Sequence, residues 1–254
     1  MPTFNSDGVE IAYSDQGQSS SGGDPILLLH GFASSAKTNW VDPGWVAFLV
    51  KEGFRVIAYD ARGHGLSGKP HSPEDYAQPH MPEDARRLLD HLSIPSAHVM
   101  GYSMGARMTA FLALRHPERV RSAIFGGLGI NMVRGLSGTQ EIASGLEAAT
   151  AAEIADPVAR TFRAFAEQTG SDLTALAACM RSARAALTTE MVGQIRCPVL
   201  VVVGTADSIG GSAQELADLI PGAQAVAIER RDHMRTVGDR AYKEAMLQFL
   251  KGLG

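Results

Sequence analysis

The chain has 254 residues, 45% of them hydrophobic and 20% charged, and 23 Lys and Arg against 27 Asp and Glu leave a formal charge of −4, a balance that supports a large core and argues against binding to nucleic acid or to anionic membrane surfaces. Two cysteines, Cys179 and Cys197, cannot build a disulfide framework or a four-thiolate zinc site and read as small buried hydrophobes. No apolar run approaches the ~20 residues that span a bilayer, and Met1 to Asp7 carry neither the basic nor the apolar region of a secretory leader, so a cytoplasmic protein is expected.

In chain order, Val9 to Tyr13 alternates apolar and polar residues, the pattern of a half-exposed edge strand. Ser19-Ser20-Ser21-Gly22-Gly23 reads as a short flexible loop. Pro25 to Leu29, Val56 to Tyr59, Ala97 to Met100, Ser122 to Phe125 and Pro198 to Val203 are unbroken apolar runs. Such runs fit strands buried on both faces, as in a parallel sheet. Ala225 to Ile228 reads as the last strand. Helical stretches are expected over 44–52, 82–92, 104–116, 213–220 and 239–250, between the runs. Ser212 with Glu215 forms a capping box, and Asp239 caps the final helix, whose apolar stripe is Ala241, Ala245, Leu247 and Leu250. Strand alternating with helix predicts a doubly wound α/β fold with a mostly parallel sheet.

Residues 129–191 break that rhythm. Five glycines between Gly126 and Gly138 open the region, and an Ala-rich stretch without strand-like runs follows. Thr150 to Glu153 matches a second capping box, with Ile154, Val158, Phe162 and Phe165 at helical spacing after it. Leu173, Leu176 and Met180 repeat the pattern. Two to four helices are expected here, inserted between two core strands, before Cys197-Pro198 restarts the sheet. The expected division is a core of 1–128 with 192–254, and a helical cap of 129–191.

Gly101-Tyr102-Ser103-Met104-Gly105 matches G-x-S-x-G. Composition alone would supply about 0.2 such matches, so the motif gains its weight from its place between a strand and a helix. A strand-to-helix turn that tight strains the central residue, lifts its hydroxyl clear of the sheet and needs small neighbours where helix and strand nearly touch. Ser103 is the candidate nucleophile. A serine hydroxyl needs a base beside it, and that base must stand at the same carboxyl edge of the sheet. His233, after the last strand and before the last helix, qualifies. His91 and His116 sit in or at the end of helices, His98 in a strand, and His71 and His80 in a Pro-rich loop. Asp207, just past the run that ends at Val203, is the candidate acid that would orient the imidazole. Asp232 adjoins His233 and is badly placed to reach its Nδ1. The order Ser103, Asp207, His233 fits the nucleophile-elbow arrangement.

His30-Gly31-Phe32 ends the run 25–29, and Gly31 would permit a sharp exit that turns the Phe32 N–H toward Ser103. With the Met104 N–H this makes two candidate oxyanion donors. His30 reads as a structural hydrogen-bonding group. In Asp60-Ala61-Arg62-Gly63-His64-Gly65, Arg62 reads as structural, pairing with Asp60 or bracing loops. Phe32, Met104 and Met234 are the candidate substrate-binding side chains, the two methionines lining an apolar acyl pocket. No metal, dinucleotide or nucleotide motif occurs, so no metal or cofactor is expected.

These residues, in this order and spacing, resemble the α/β-hydrolase superfamily over nearly the whole chain. The resemblance implies a helical lid, matching 129–191, and is similar to the carboxylesterase, enol-lactonase, cofactor-free haloperoxidase and C–C hydrolase branches. Ser103 argues against the epoxide hydrolase and haloalkane dehalogenase branches, which carry Asp there. Asp232 departs from the Gly that relatives often place before the histidine. The leading expectation is a serine hydrolase cleaving small, mostly apolar carboxylic esters, with a small-molecule ester and water as its partners. The alternatives are lactone or C–C bond hydrolysis with the same three residues, or a non-catalytic receptor on the same fold.

Overall fold

The computed structural model describes residues 1–17, 23–135, 137–182 and 186–253; of the loop expected over Ser19 to Gly23, all but Gly23 lies outside them. The apolar runs form one eight-stranded sheet: β1 (Thr3–Ser6), β2 (Val9–Gln16), β3 (Pro25–Leu29), β4 (Arg55–Tyr59), β5 (Ala97–Tyr102), β6 (Val120–Gly126), β7 (Val199–Gly204) and β8 (Gln224–Ile228). Their spatial order is β1-β2-β4-β3-β5-β6-β7-β8. β2 pairs antiparallel with β1 and β4, and every pair from β4 to β8 is parallel. The helices outside the insertion are α1 (Trp45–Lys51), α2 (His80–His91), α3 (Met104–Arg115), α9 (Ala213–Ala217), α10 (His233–Thr236) and α11 (Arg240–Lys251). Those between β6 and β7 are α4 (Asn131–Arg134), α5 (Thr139–Glu147), α6 (Pro157–Gln168), α7 (Leu173–Arg181) and α8 (Thr189–Val192).

The unbroken apolarity of the central strands follows from burial on both faces. Leu27 and Leu29 of β3 enter one core with residues of α2 and α3, while Ile26 and Leu28 enter another with Trp45, Tyr242 and Phe249 of α1 and α11. β4 and β7 divide their side chains the same way. Each fully buried Leu or Ile is worth about 1.5–3 kcal/mol relative to exposure.

Two expectations about the sheet margin change. The segment beginning at Val9 is not an edge strand: β1 lies outside it, and Ile11, Ala12 and Tyr13 are all buried. β1 is polar in sequence, and its support is tertiary: Phe4 stacks on His91 and meets Tyr13 edge-on, and the Ser6 hydroxyl donates to Asp84. The helix expected over 213–220 stops at Ala217, capped at its start by Ser212, which accepts from Glu215 N; the Glu215 carboxylate accepts instead from Arg134.

Between β6 and β7 the described residues hold five helices, more than the two to four expected, because α4 and α8 are single turns of four residues. Thr150 to Glu153 is not a capping box opening a long helix. Residues Ala151–Glu153 make one 3-10 turn, and the Thr150 hydroxyl donates to the Glu153 carboxylate. The effective caps are Asp156, accepting from Ala159 N at 2.7 Å, and Asp172, accepting from Ala175 N at 2.9 Å. α5 packs against both α6 and α7. Buried Arg163 of α6 donates to the carbonyls of Gly145 and Ala148 and so closes the end of α5. Past the end of α6, the Thr169 hydroxyl donates to Ala33 O at 3.0 Å, tying this layer to the loop that follows β3.

Candidate active site

Four strand ends supply the site. Between β5 and α3 the chain turns at Ser103 with φ 53° and ψ −110°. A non-glycine residue held there costs on the order of 1–3 kcal/mol, and such strain persists only where the surroundings enforce it. Here the Ser103 N–H is fixed to Gly126 O at the end of β6. The flanking glycines are required by contact, as expected: a Cβ on Gly101 would stand 2.1 Å from Gly105 O, and one on Gly105 2.0 Å from Leu29 O.

Asp207 follows β7. Its Oδ1 accepts from Ile209 N and Gly210 N, both at 2.8 Å, so the carboxylate caps its own turn. Its Oδ2 faces His233 Nδ1 at 2.8 Å. The other ring nitrogen, Nε2, is 3.0 Å from Ser103 Oγ. The structure therefore brings together the hydroxyl, imidazole and carboxylate picked out in sequence. Because Asp207 accepts, His233 Nδ1 carries the proton and Nε2 presents its lone pair to Ser103. Asp232 does not compete for the ring. It caps α10, accepting from Met234 N and Arg235 N. Tyr102 adds a clamp: burial holds its phenol protonated, its pKa well above the usual value, and the hydroxyl donates to His233 O at 2.5 Å.

The loop after β3 faces the same hydroxyl. The left-handed backbone conformation in this loop sits at Ala33, φ 57°, and not at Gly31. A Cβ on Gly31 would instead stand 3.6 Å from Ser103 Cβ and 3.5 Å from Asn39 Oδ1, so glycine keeps that space open. Asn39, which the sequence did not single out, accepts from Gly31 N at 2.8 Å and sets the loop's direction. Among the described residues the N–H groups of Phe32 and Met104 meet no backbone carbonyl. His30 is structural as expected: its Nδ1–H donates to Gly31 O and its Nε2 accepts from Ala61 N at 2.9 Å. Burial lowers its pKa and pushes that of neighbouring His64 down to about 3, so both rings beneath the loop are neutral. Arg62 pairs with Asp84 rather than Asp60, through two bonds of 2.8 and 2.7 Å. Asp60 accepts from Ala36 N and Leu66 N instead. The remaining histidines stand in other roles: His71 meets Asp172, His80 meets Asp7, His91 meets Tyr13, His98 meets Ser122 and His116 meets Glu83.

Ser103 opens onto two cavities of about 710 and 330 Å3. Phe32 lines both, Met234 lines the larger and is about half exposed, and Met104 lines the smaller. The two methionines thus stand in different cavities, not in one acyl pocket. Phe162, Ile209 and Asn39 complete walls that periodicity could not reveal; Phe162 carried only a helical-spacing signal, and Asn39 none. Burial pushes the Cys197 thiol up to about 11, which removes it as a nucleophile. Among the described residues no cluster of His, Cys, Asp or Glu could hold a metal ion, and no helix is long and apolar enough to cross a membrane.

The family model for the alpha/beta hydrolase fold matches residues 24–133. A non-heme haloperoxidase of Rhodococcus erythropolis is 37% identical over 126 residues, 48% of this chain and 42% of that relative. The matched stretch therefore spans about two fifths of such curated relatives. Likeness to solved structures extends further. A hydrolase of Pseudomonas aeruginosa superposes with a TM-score of 0.79 at 27% identity, covering 98% of this chain and 97% of that one. The enol-lactonase of Burkholderia xenovorans superposes with a TM-score of 0.75 at 25% identity, covering 98% and 100%.

Proposed function

We propose, from the premise that the chain belongs to the α/β-hydrolase superfamily, that it is a serine hydrolase cleaving small, mostly apolar carboxylic esters through an acyl-enzyme. The observation that carries this reading is the continuous path from Asp207 through His233 to Ser103, with contacts of 2.8 and 3.0 Å. Ser103 Oγ attacks the ester carbonyl as His233 Nε2 takes its proton. Asp207 fixes the imidazole and stabilises the imidazolium. The Phe32 and Met104 N–H groups receive the oxyanion, each such donor being worth about 3–4 kcal/mol of barrier. The imidazolium protonates the leaving alcohol, and water, deprotonated by His233, releases the acid. The helices within 129–191 act as the cap over a core of 1–128 and 192–254. The apolar side chains Leu128, Met132, Val133 and Leu187 beside Ser103, with Arg134 paired to Glu215, suit an uncharged acyl group.

The test is Ser103→Ala together with a fluorophosphonate probe. Labelling of Ser103 in the folded protein, and a loss of at least 10^3 in ester turnover on substitution, are expected; wild-type turnover by Ser103→Ala would refute the assignment. A second reading, lactone hydrolysis, is favoured by the whole-chain likeness to an enol-lactonase. It uses the same groups and gains ground if lactones turn over much faster than simple esters.

A further inference from the structure

Ser103 sits at a partition. Phe32, Ser103, Phe162 and Ile209 are shared by the two cavities. The Phe32 and Phe162 rings meet edge to face, 5.7 Å between centroids, and form the apolar part of the divider. The groups around the nucleophile are not shared evenly. Among the described residues, His233 lines the larger cavity and not the smaller, whereas Met104 lines the smaller and not the larger.

Resting on the serine-hydrolase reading, we infer that the 710 Å3 cavity takes the leaving alcohol and the 330 Å3 cavity takes the acyl group, so the substrates are esters of a compact apolar acid with a larger, polar-tolerant alcohol. The argument is a proton account. When the tetrahedral intermediate collapses, the bond from the acyl carbon to the leaving oxygen breaks. The proton that His233 Nε2 took from Ser103 must then reach that oxygen, which has to stand on the imidazole's side of the nucleophile. The oxyanion points to the N–H groups of Phe32 and Met104, which leaves the acyl substituent the far side, past Met104. The attacking water also gives its proton to His233, so it enters through the space the alcohol has left. Ester and water go in; alcohol and acid come out.

The two cavities differ in size more than in the character of their walls. The smaller cavity is lined by Leu128, Met132, Val133 and Leu187, and its Arg107, Arg134 and Asn131 side chains are already engaged, with Met132 O, with Glu215 and with Ile209 O. The larger cavity sets Thr38, Asn39, Arg231 and Arg235 beside Val158, Phe165 and Met234, a mixed wall that admits polar as well as apolar alcohols. Its greater volume sets the looser size limit.

Two substrate series test the division in the full-length protein. One lengthens the acyl chain on a fixed small alcohol; the other enlarges the alcohol on a fixed acetyl group. kcat/KM is expected to fall at least tenfold across the acyl series and to stay within a few-fold across the alcohol series. Val133→Phe, filling the smaller cavity, should shift the acyl cut-off to shorter chains. Val158→Phe, at the half-exposed wall of the larger one, should depress the largest alcohols. Leu128→Phe repeats the first change at a second position should Val133→Phe fold poorly. A reversed pattern, or series that ignore these fillings, overturns the inference. Fluorophosphonate titration of each variant separates the levels: absent labelling of Ser103 in the wild type sinks the hydrolase reading itself, whereas full labelling with reversed length dependence sinks this division alone.

Discussion

Asp207→Asn isolates one proton. In the wild type, Oδ1 receives two backbone N–H groups, from Ile209 and Gly210, and Oδ2 receives the imidazole. An amide in this place has one way to sit. Its oxygen must take the two N–H donors, because its NH2 cannot, so the NH2 faces His233 Nδ1. That nitrogen must then accept, the ring proton moves to Nε2, and Nε2 can no longer take the Ser103 proton. A wrong tautomer of this kind costs about 10^4 in kcat, or about 5.5 kcal/mol of barrier at 1.36 kcal/mol per tenfold. The fold should lose less. Three charge-assisted hydrogen bonds become neutral ones, the imidazole bond with its direction reversed, a change of about 1–3 kcal/mol. Turnover of an activated acetate ester, with nitrogen-15 resonances of the His233 ring and urea unfolding, reads all three quantities. Asp207→Ala supplies the contrast: it leaves the Ile209 and Gly210 amides unpaired, so it should unfold more easily than Asp207→Asn without imposing the wrong tautomer. Turnover by Asp207→Asn within tenfold of wild type, or a ring that keeps its proton on Nδ1, would refute the reasoning.

Gly105→Ala places a Cβ 2.0 Å from Leu29 O, where about 3.0 Å is the closest approach tolerated. α3 would have to move about 1 Å off β3, at or beyond the ~3 kcal/mol end of overpacking costs; thermal melting close to that of wild type would contradict the close approach. His64 stays neutral when folded down to about 3, against 6.5 when unfolded. Its contribution is therefore complete above pH 6.5 and is lost as the pH falls toward 3, because the unfolded chain takes up a proton that the folded one refuses. The loss is about 1.4 kcal/mol per pH unit. Urea unfolding between pH 7 and 4 should show a shallower slope for His64→Gln than for wild type, and equal slopes would exclude this source.

The central sheet was legible because strands buried on both faces must be apolar at every position, as β3 and β7 are. β1 was not, since Thr3–Ser6 owes its place to the Phe4–His91 stack and the Ser6–Asp84 bond, both made with α2. In the insertion, helical spacing located α6 and α7, but the start read at Thr150 lies at Asp156, where the Ala159 N–H needs an acceptor. Ser103, Asp207 and His233 could be read because loop position at strand ends, not side-chain packing, brings them together. Asn39 and the division of the cavity by Phe162 depend on segments far apart in the chain, and no local pattern announces them. Arg62 shows the same limit: Asp60 is near in sequence, yet Asp84 on α2 supplies the carboxylate.

The Tyr102 hydroxyl bonds the backbone of His233, and Ala206 N reaches back to Arg231 O. None of these tethers involves a residue of the inserted helices. Both ties lie within the strand-end loops, while Thr169 and Asn131 bind the loops of Phe32 and Asp207 from the segment between β6 and β7. Under the proposed arrangement, substitutions on α5 to α7 that spare Phe162 should change which guest is admitted before they change the Asp207–His233–Ser103 contacts.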